Sequence, residues 1–207
     1  MCYDAKTSIG TFGFVALISL YLWQRNQSLD RAISLILLVV VAMQLLEFII
    51  WTHLGETTEN RIASVLIPIL LYLQPLLIAL IMWIFKAGWY TESYKVIVYV
   101  LVALTPILSI IFYNMMKDVQ YTVPGPNGHL MWAYPNKMTF NVLAILVIYY
   151  ALLAYLFMTL KNPILSVSFL GGYALSWFYY KIYYGKEFGS LWCHSVNGIA
   201  LLSLFIT

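Results

Sequence analysis

Glu47 is the one acid that falls well inside an apolar stretch of this chain, about two helical turns from the nearer end of that stretch. A carboxylate placed there costs several kcal/mol unless it is paired, protonated or turned toward water. Gln44, Glu47 and Trp51 follow i, i+3, i+7 spacing, so they share one helix face, which is expected to point inward. The richest polar patch in any apolar run is Gly189-Ser190-Leu191-Trp192-Cys193-His194-Ser195-Val196-Asn197. There His194 and Asn197 stand three apart, at a depth similar to that of Glu47 if both helices are upright. Gln74, beside Pro75, lies deeper and would extend the same lining. Glu47, Gln44, Gln74, His194 and Asn197 therefore form a candidate ligand-binding set, able to hold a small polar molecule or ion or to pass a proton. The opposing reading is an interhelical hydrogen-bond network that only holds helices together.

Cys2 and Cys193 admit two readings. In an oxidising compartment they would form a disulfide tethering the N-terminus to the last helix. Alternatively Cys2, Cys193 and His194, with His129, would hold a soft metal or haem. No paired CxxC accompanies them, and two free thiols are the third option. Membrane hydrolases gather several His, Asp or Ser groups around a metal or nucleophile. This chain offers three histidines and one intramembrane acid, so the expectation leans away from an enzyme, with no catalytic residue assigned and no cofactor implied.

The elements that must position these groups follow from composition. Of 207 residues, 63% are hydrophobic and only 9% charged. Soluble domains carry roughly 25% charged residues, so a water-soluble fold could not hide this much apolar surface. Apolar runs fall at Ser8–Trp23, Arg31–Leu54, Arg61–Phe85, Lys95–Met116, Met138–Leu160, Ile164–Tyr180 and Phe188–Thr207. Backbone groups in hydrocarbon must be satisfied within the segment, so spans are helices and the fold class is all-α, a single domain of seven transmembrane helices. The first run reads as a retained helix, since no small-residue cleavage pattern precedes Gln24-Arg25-Asn26-Gln27. Pro68, Pro75 and Pro106 predict bends, and Ser168, Gly172 and Ser176 predict a small-residue packing stripe. Tyr179, Tyr180, Tyr183 and Tyr184 suit the headgroup level.

An odd helix count puts the termini on opposite sides. Arg25, Arg31, Lys86, Lys95 and Lys161 crowd into short turns on one side, whereas Lys6, Arg61, Lys117, Lys137, Lys181 and Lys186 spread over longer loops on the other. The positive-inside rule then places the N-terminus outside the cytoplasm and the C-terminus within it. Both cysteines and all three histidines, His53, His129 and His194, belong to the N-terminal side, which also carries the longer loops.

The opening Met1-Cys2-Tyr3-Asp4-Ala5-Lys6-Thr7-Ser8, the patch from Met43-Gln44 to Glu47, Gln74-Pro75, Gly128-His129-Leu130-Met131-Trp132 and Ser190-Leu191-Trp192-Cys193 together resemble a multi-helix integral membrane family. That family occurs in bacteria, protists and large DNA viruses and has no assigned activity. The resemblance spans nearly the whole chain and implies the membrane fold, with a viral source among the options. Bacterial members carry Met-Glu-x-x-Gln where this chain has Met43-Gln44-x-x-Glu47, so no role for Glu47 is transferred.

Several function classes are excluded. A retinal protein needs a lysine in its last helix, and Phe188–Thr207 has none. A G-protein partner is not expected, because turns on the C-terminal side are short and the chain stops as its last helix ends. Nucleic acid is excluded by a formal charge of only +3 with no basic run. The remaining partners are the lipid bilayer and a small-molecule, proton or ion ligand, for a transporter or sensor. A structural or interaction membrane protein is the alternative, and a metal- or haem-binding redox protein the third. Oligomeric state is not encoded in any recognisable pattern.

Overall fold

In a computed structural model of the chain, the described residues are 4–89, 94–104, 121–126, 128–132, 140–179 and 188–206. The side chains of Tyr72, 140–147, Tyr173, Ser176, Trp177, Tyr179 and 188–194 are excepted. Helices occupy α1 (Ala5–Arg25), α2 (Asp30–Thr52), α3 (Thr58–Ile84), α4 (Tyr94–Leu104), α5 (Phe140–Met158), α6 (Pro163–Tyr179) and α7 (Phe188–Ile206). A two-stranded antiparallel hairpin, β1 (Val123–Pro124) and β2 (Leu130–Met131), stands between α4 and α5.

The helix ends are written into the sequence. Asp4 caps α1, its Oδ1 accepting from the Thr7 amide at 2.7 Å, and Thr57 caps α3 through the Asn60 amide. Asn162 caps α6 with Pro163 at the first helical position, where a missing amide hydrogen costs nothing. At the far end of α1, Asn26 adopts the left-handed conformation at φ 52° and closes the last turn on Leu22.

Helix α1 buries Ser8, Thr11, Val15, Ile18, Ser19 and Leu22, a stripe at three- and four-residue spacing that packs on α2 and α7. Helix α2 is the central element: it contacts α1, α3 and α7 and buries Ile33, Ile36, Leu37, Val40 and Val41 in the main core. Gly172 brings α6 onto α7; a Cβ there would stand 3.0 Å from the Ser195 Cβ, and the Ser195 hydroxyl donates to the Gly172 carbonyl. Helix α3 bends by 49° between Leu71 and Leu73. Pro75 accounts for the bend, because its ring clashes with the carbonyl four residues earlier, that of Leu71.

The C-terminal-side end is clamped by polar groups. Arg25 grips Asp30 in two parallel bonds of 2.8 and 2.7 Å and also donates to the Leu204 carbonyl. The Asn162 amide donates to the Ile206 carbonyl. Two terminal carbonyls of α7, which have no partner within the helix, are thus satisfied by turns from elsewhere in the chain.

Each of the seven apolar runs overlaps one of these helices. By length and composition, two described helices, α1 and α2, are long and apolar enough to cross a membrane, and the bent α3 makes a third if counted as one span. Outward faces carry large apolar side chains such as Leu17, Val167, Leu175 and Phe205. A mostly helical chain with such faces is compatible with a membrane protein.

Candidate functional site

Glu47 is fully buried, and Gln44, one turn earlier, is nearly so. Each carboxylate oxygen receives a donor: the Gln44 side-chain amide at 2.9 Å on Oε2, and the Trp132 indole N–H at 3.0 Å on Oε1. The first follows from helical spacing alone. The second comes from a segment distant in sequence, and the chain must build a device to deliver it.

That device is the β1/β2 hairpin. Its turn runs through Gly125 and Gly128, with Gly128 at φ 79°, a conformation that favours glycine. Its root is fixed by Thr122, whose amide lies within hydrogen-bond distance of Asn60 Oδ1 and Ser64 Oγ. The Thr122 carbonyl accepts from the Asn60 side-chain amide at 3.0 Å. All three residues are buried and on the first turns of α3 or directly against them. From this root the hairpin folds back over α2 and α3. Leu130 enters an apolar cluster with Met43, Ile50, Ala63 and Ile67, and Trp51 and Trp132 pack against it. Strand β2 also touches α7. Burying Leu130 and half-burying Trp132 pins the hairpin, and with it the indole that meets Glu47.

The other anticipated residues fall in three places. Gln74 forms a separate patch at the α3 bend, accepting from the Tyr149 hydroxyl at 2.9 Å and donating to the Val39 carbonyl at 3.4 Å. Val39 precedes Glu47 by roughly 12 Å along α2, so Gln74 ties α2, α3 and α5 together below the acid instead of lining it. Asn197 turns to α1, donating to the Thr11 hydroxyl at 3.3 Å, and its Oδ1 is buried without a described partner. Trp51 shares the Glu47 face, with its indole nitrogen buried.

Of His194 and Cys193 the helical backbone is described, and their side chains lie outside the described residues, as does Cys2 altogether. The Cys2–Cys193 disulfide and the shared metal or haem site therefore also lie outside the described residues. His129 is buried in the hairpin, and His53 is exposed, held by its own helix end at Ile49 and Thr52. Among the described residues no group of three His, Cys, Asp or Glu side chains gathers as a metal site requires.

Sequence reasoning did not single out Trp132, Thr122, Asn60, Ser64 or Tyr149 as members of a site. The signal available for Trp132 is the apolar Leu130-Met131-Trp132 triplet that follows Gly128-His129 in the long loop. Chemically, the arrangement is a buried carboxyl group that receives a donor from its own helix, Gln44, and another from the hairpin at the N-terminal side, Trp132. No family model matches the chain, and searches of curated proteins and of solved structures return no match.

Proposed function

We propose that the chain is a seven-span membrane protein that handles a proton, a small cation or a small polar molecule at Glu47, in the N-terminal-side half of the bundle. In this reading the N-terminus is non-cytoplasmic, the protein is a transporter or sensor, and Gln44 and Trp132 are the groups that hold the acid between events. The single supporting observation is the bond from Trp132 to the fully buried Glu47. A purely structural acid on α2 needs donors, but its neighbours on the helix bundle could supply them. Here one donor comes from a hairpin at the end of the bundle, so lifting that hairpin opens a path from water to the carboxylate.

The test is reconstitution of the full chain in liposomes. Wild type is expected to show proton or small-cation flux, or a ligand-dependent rise in melting temperature. Glu47→Gln keeps size and hydrogen bonding, so it should stay folded and lose that response. If both forms are inert and differ only in stability, the polar residues are packing glue, the reading favoured by the buried, mutually hydrogen-bonded Asn60–Ser64–Thr122 network. Reporter fusions at the two ends check the topology; finding both on one side would overturn the seven-span arrangement.

A further inference from the structure

Two turns from distant parts of the chain are joined at the C-terminal-side end. The Trp89 amide donates to the Thr159 carbonyl at 2.8 Å, and the Lys161 amide donates to the Ala87 carbonyl at 3.0 Å. Gly88 pairs with Leu160 between them as an antiparallel bridge. The approach requires glycine: a Cβ at Gly88 would stand 2.9 Å from the Met82 Cε and 3.2 Å from the Thr159 carbonyl oxygen. This register sets the backbone of Lys161 opposite Ala87, so Lys86 is the adjacent residue, with α-carbons within roughly 8 Å.

Lys86 sits at the end of α3 in the left-handed conformation, φ 52°, with the Ala87 amide closing on the Met82 carbonyl and its own amide on Trp83. Glycine is the usual residue at this position, and a lysine there costs on the order of 1 kcal/mol. Both lysine side chains are exposed, and neither has an ion-pair partner among the described residues. The one described acid on this side, Asp30, is fully buried under Arg25. In sequence this end carries Arg25, Arg31, Lys86, Lys95 and Lys161 against Asp30 and Glu92, of which Glu92 lies outside the described residues. Trp83, Ile84 and Trp89 are exposed beside the lysines, at 43, 68 and 64%. Two unpaired cations level with exposed indoles match the layer where lipid phosphates meet acyl chains.

We propose that the joined turns 86–89 and 159–161 bind the phosphate of an anionic phospholipid headgroup through Lys86 and Lys161, with Trp83 and Trp89 seated in the headgroup layer. The N-terminal end of α6, which begins at Pro163, adds a favourable dipole beside Lys161. The proposal rests on the membrane-embedded reading, but not on which side is cytoplasmic or on any role of Glu47.

Native mass spectrometry of the full chain, released from nanodiscs of equal parts phosphatidylcholine and phosphatidylglycerol, tests it. Wild type should retain phosphatidylglycerol in preference to phosphatidylcholine. Lys86→Gln with Lys161→Gln should lower that preference by roughly 25-fold, about fivefold for each lysine. Lys86→Arg with Lys161→Arg keeps the charge and should retain it, as should Lys6→Gln with Arg61→Gln at the opposite end. Equal retention of both lipids by wild type, or an equal loss in the opposite-end variant, overturns the proposal. Displacement of the lipid by inorganic phosphate would assign the lysines to a soluble anion and overturn it too. If the double glutamine variant fails to fold, the single variants, each expected to lose about fivefold, decide. A wild-type chain that never enters the nanodisc would instead sink the membrane reading itself.

Discussion

The indole N–H of Trp132 donates to Glu47 Oε1 at 3.0 Å across 85 residues of sequence, joining a loop hairpin to an acid buried in α2. Trp132→Phe keeps the ring and removes the donor. It should destabilise the protein by about 1–3 kcal/mol, the cost of leaving a buried acceptor short of a partner. Combined with Glu47→Ala, which removes the acceptor, thermal unfolding should reveal a coupling of about 0.5–3 kcal/mol. Strict additivity of the two substitutions would mean that the bond does not form in solution.

Asn60 controls the root of the same hairpin. Its side chain both donates to the Thr122 carbonyl and accepts from the Thr122 amide and the Ser64 hydroxyl. Asn60→Ala should therefore speed amide hydrogen exchange across residues 121–132 while leaving α1 and α2 protected. Uniform loss of protection over the whole chain would show that the hairpin is not a separable unit.

At the opposite end, Asp30 is fully buried and its partner Arg25 only 15% exposed. Asp30→Asn leaves a largely buried guanidinium without its counter-charge, at a cost of about 3 kcal/mol. Because Arg25 also holds the Leu204 carbonyl, exchange at the last turn of α7 should rise with it. An unfolding midpoint equal to wild type would contradict this role.

Asp4 supplies a pH signature. The Thr7 amide bond, first among the causes, holds its carboxyl below the ordinary value of 3.8. A group whose folded pKa is depressed contributes stability that is present above the unfolded value and lost as pH falls through the folded one. Fraying at the start of α1 should thus begin below pH 3.8, seen as faster exchange of the Thr7 amide. Asp4→Ala should fray at every pH and show no such step.

Much of the framework was legible from residue order because it depends on neighbours in sequence. Apolar runs with few charges dictate helices, Pro75 bends its own helix, and the Gln44–Glu47 pair follows from one turn of spacing. The inward face of Gln44 and Glu47 was readable for the same reason: an acid in an apolar helix has nowhere else to go.

Which groups meet across elements was not legible, since hydrogen-bonding side chains are interchangeable until packing sets their distances. Gln74, Asn197 and Trp132 were all chemically able to serve Glu47. Tertiary structure sends Gln74 to Tyr149 and Asn197 to Thr11, and delivers Trp132 through a hairpin whose own strands are only two residues each. The same holds for Arg25 with Leu204 and for residues 87–89 joined to 159–161. Composition and periodicity determine that these helices form; the burial of Leu130 and the close approach at Gly88 decide which of their polar groups become partners.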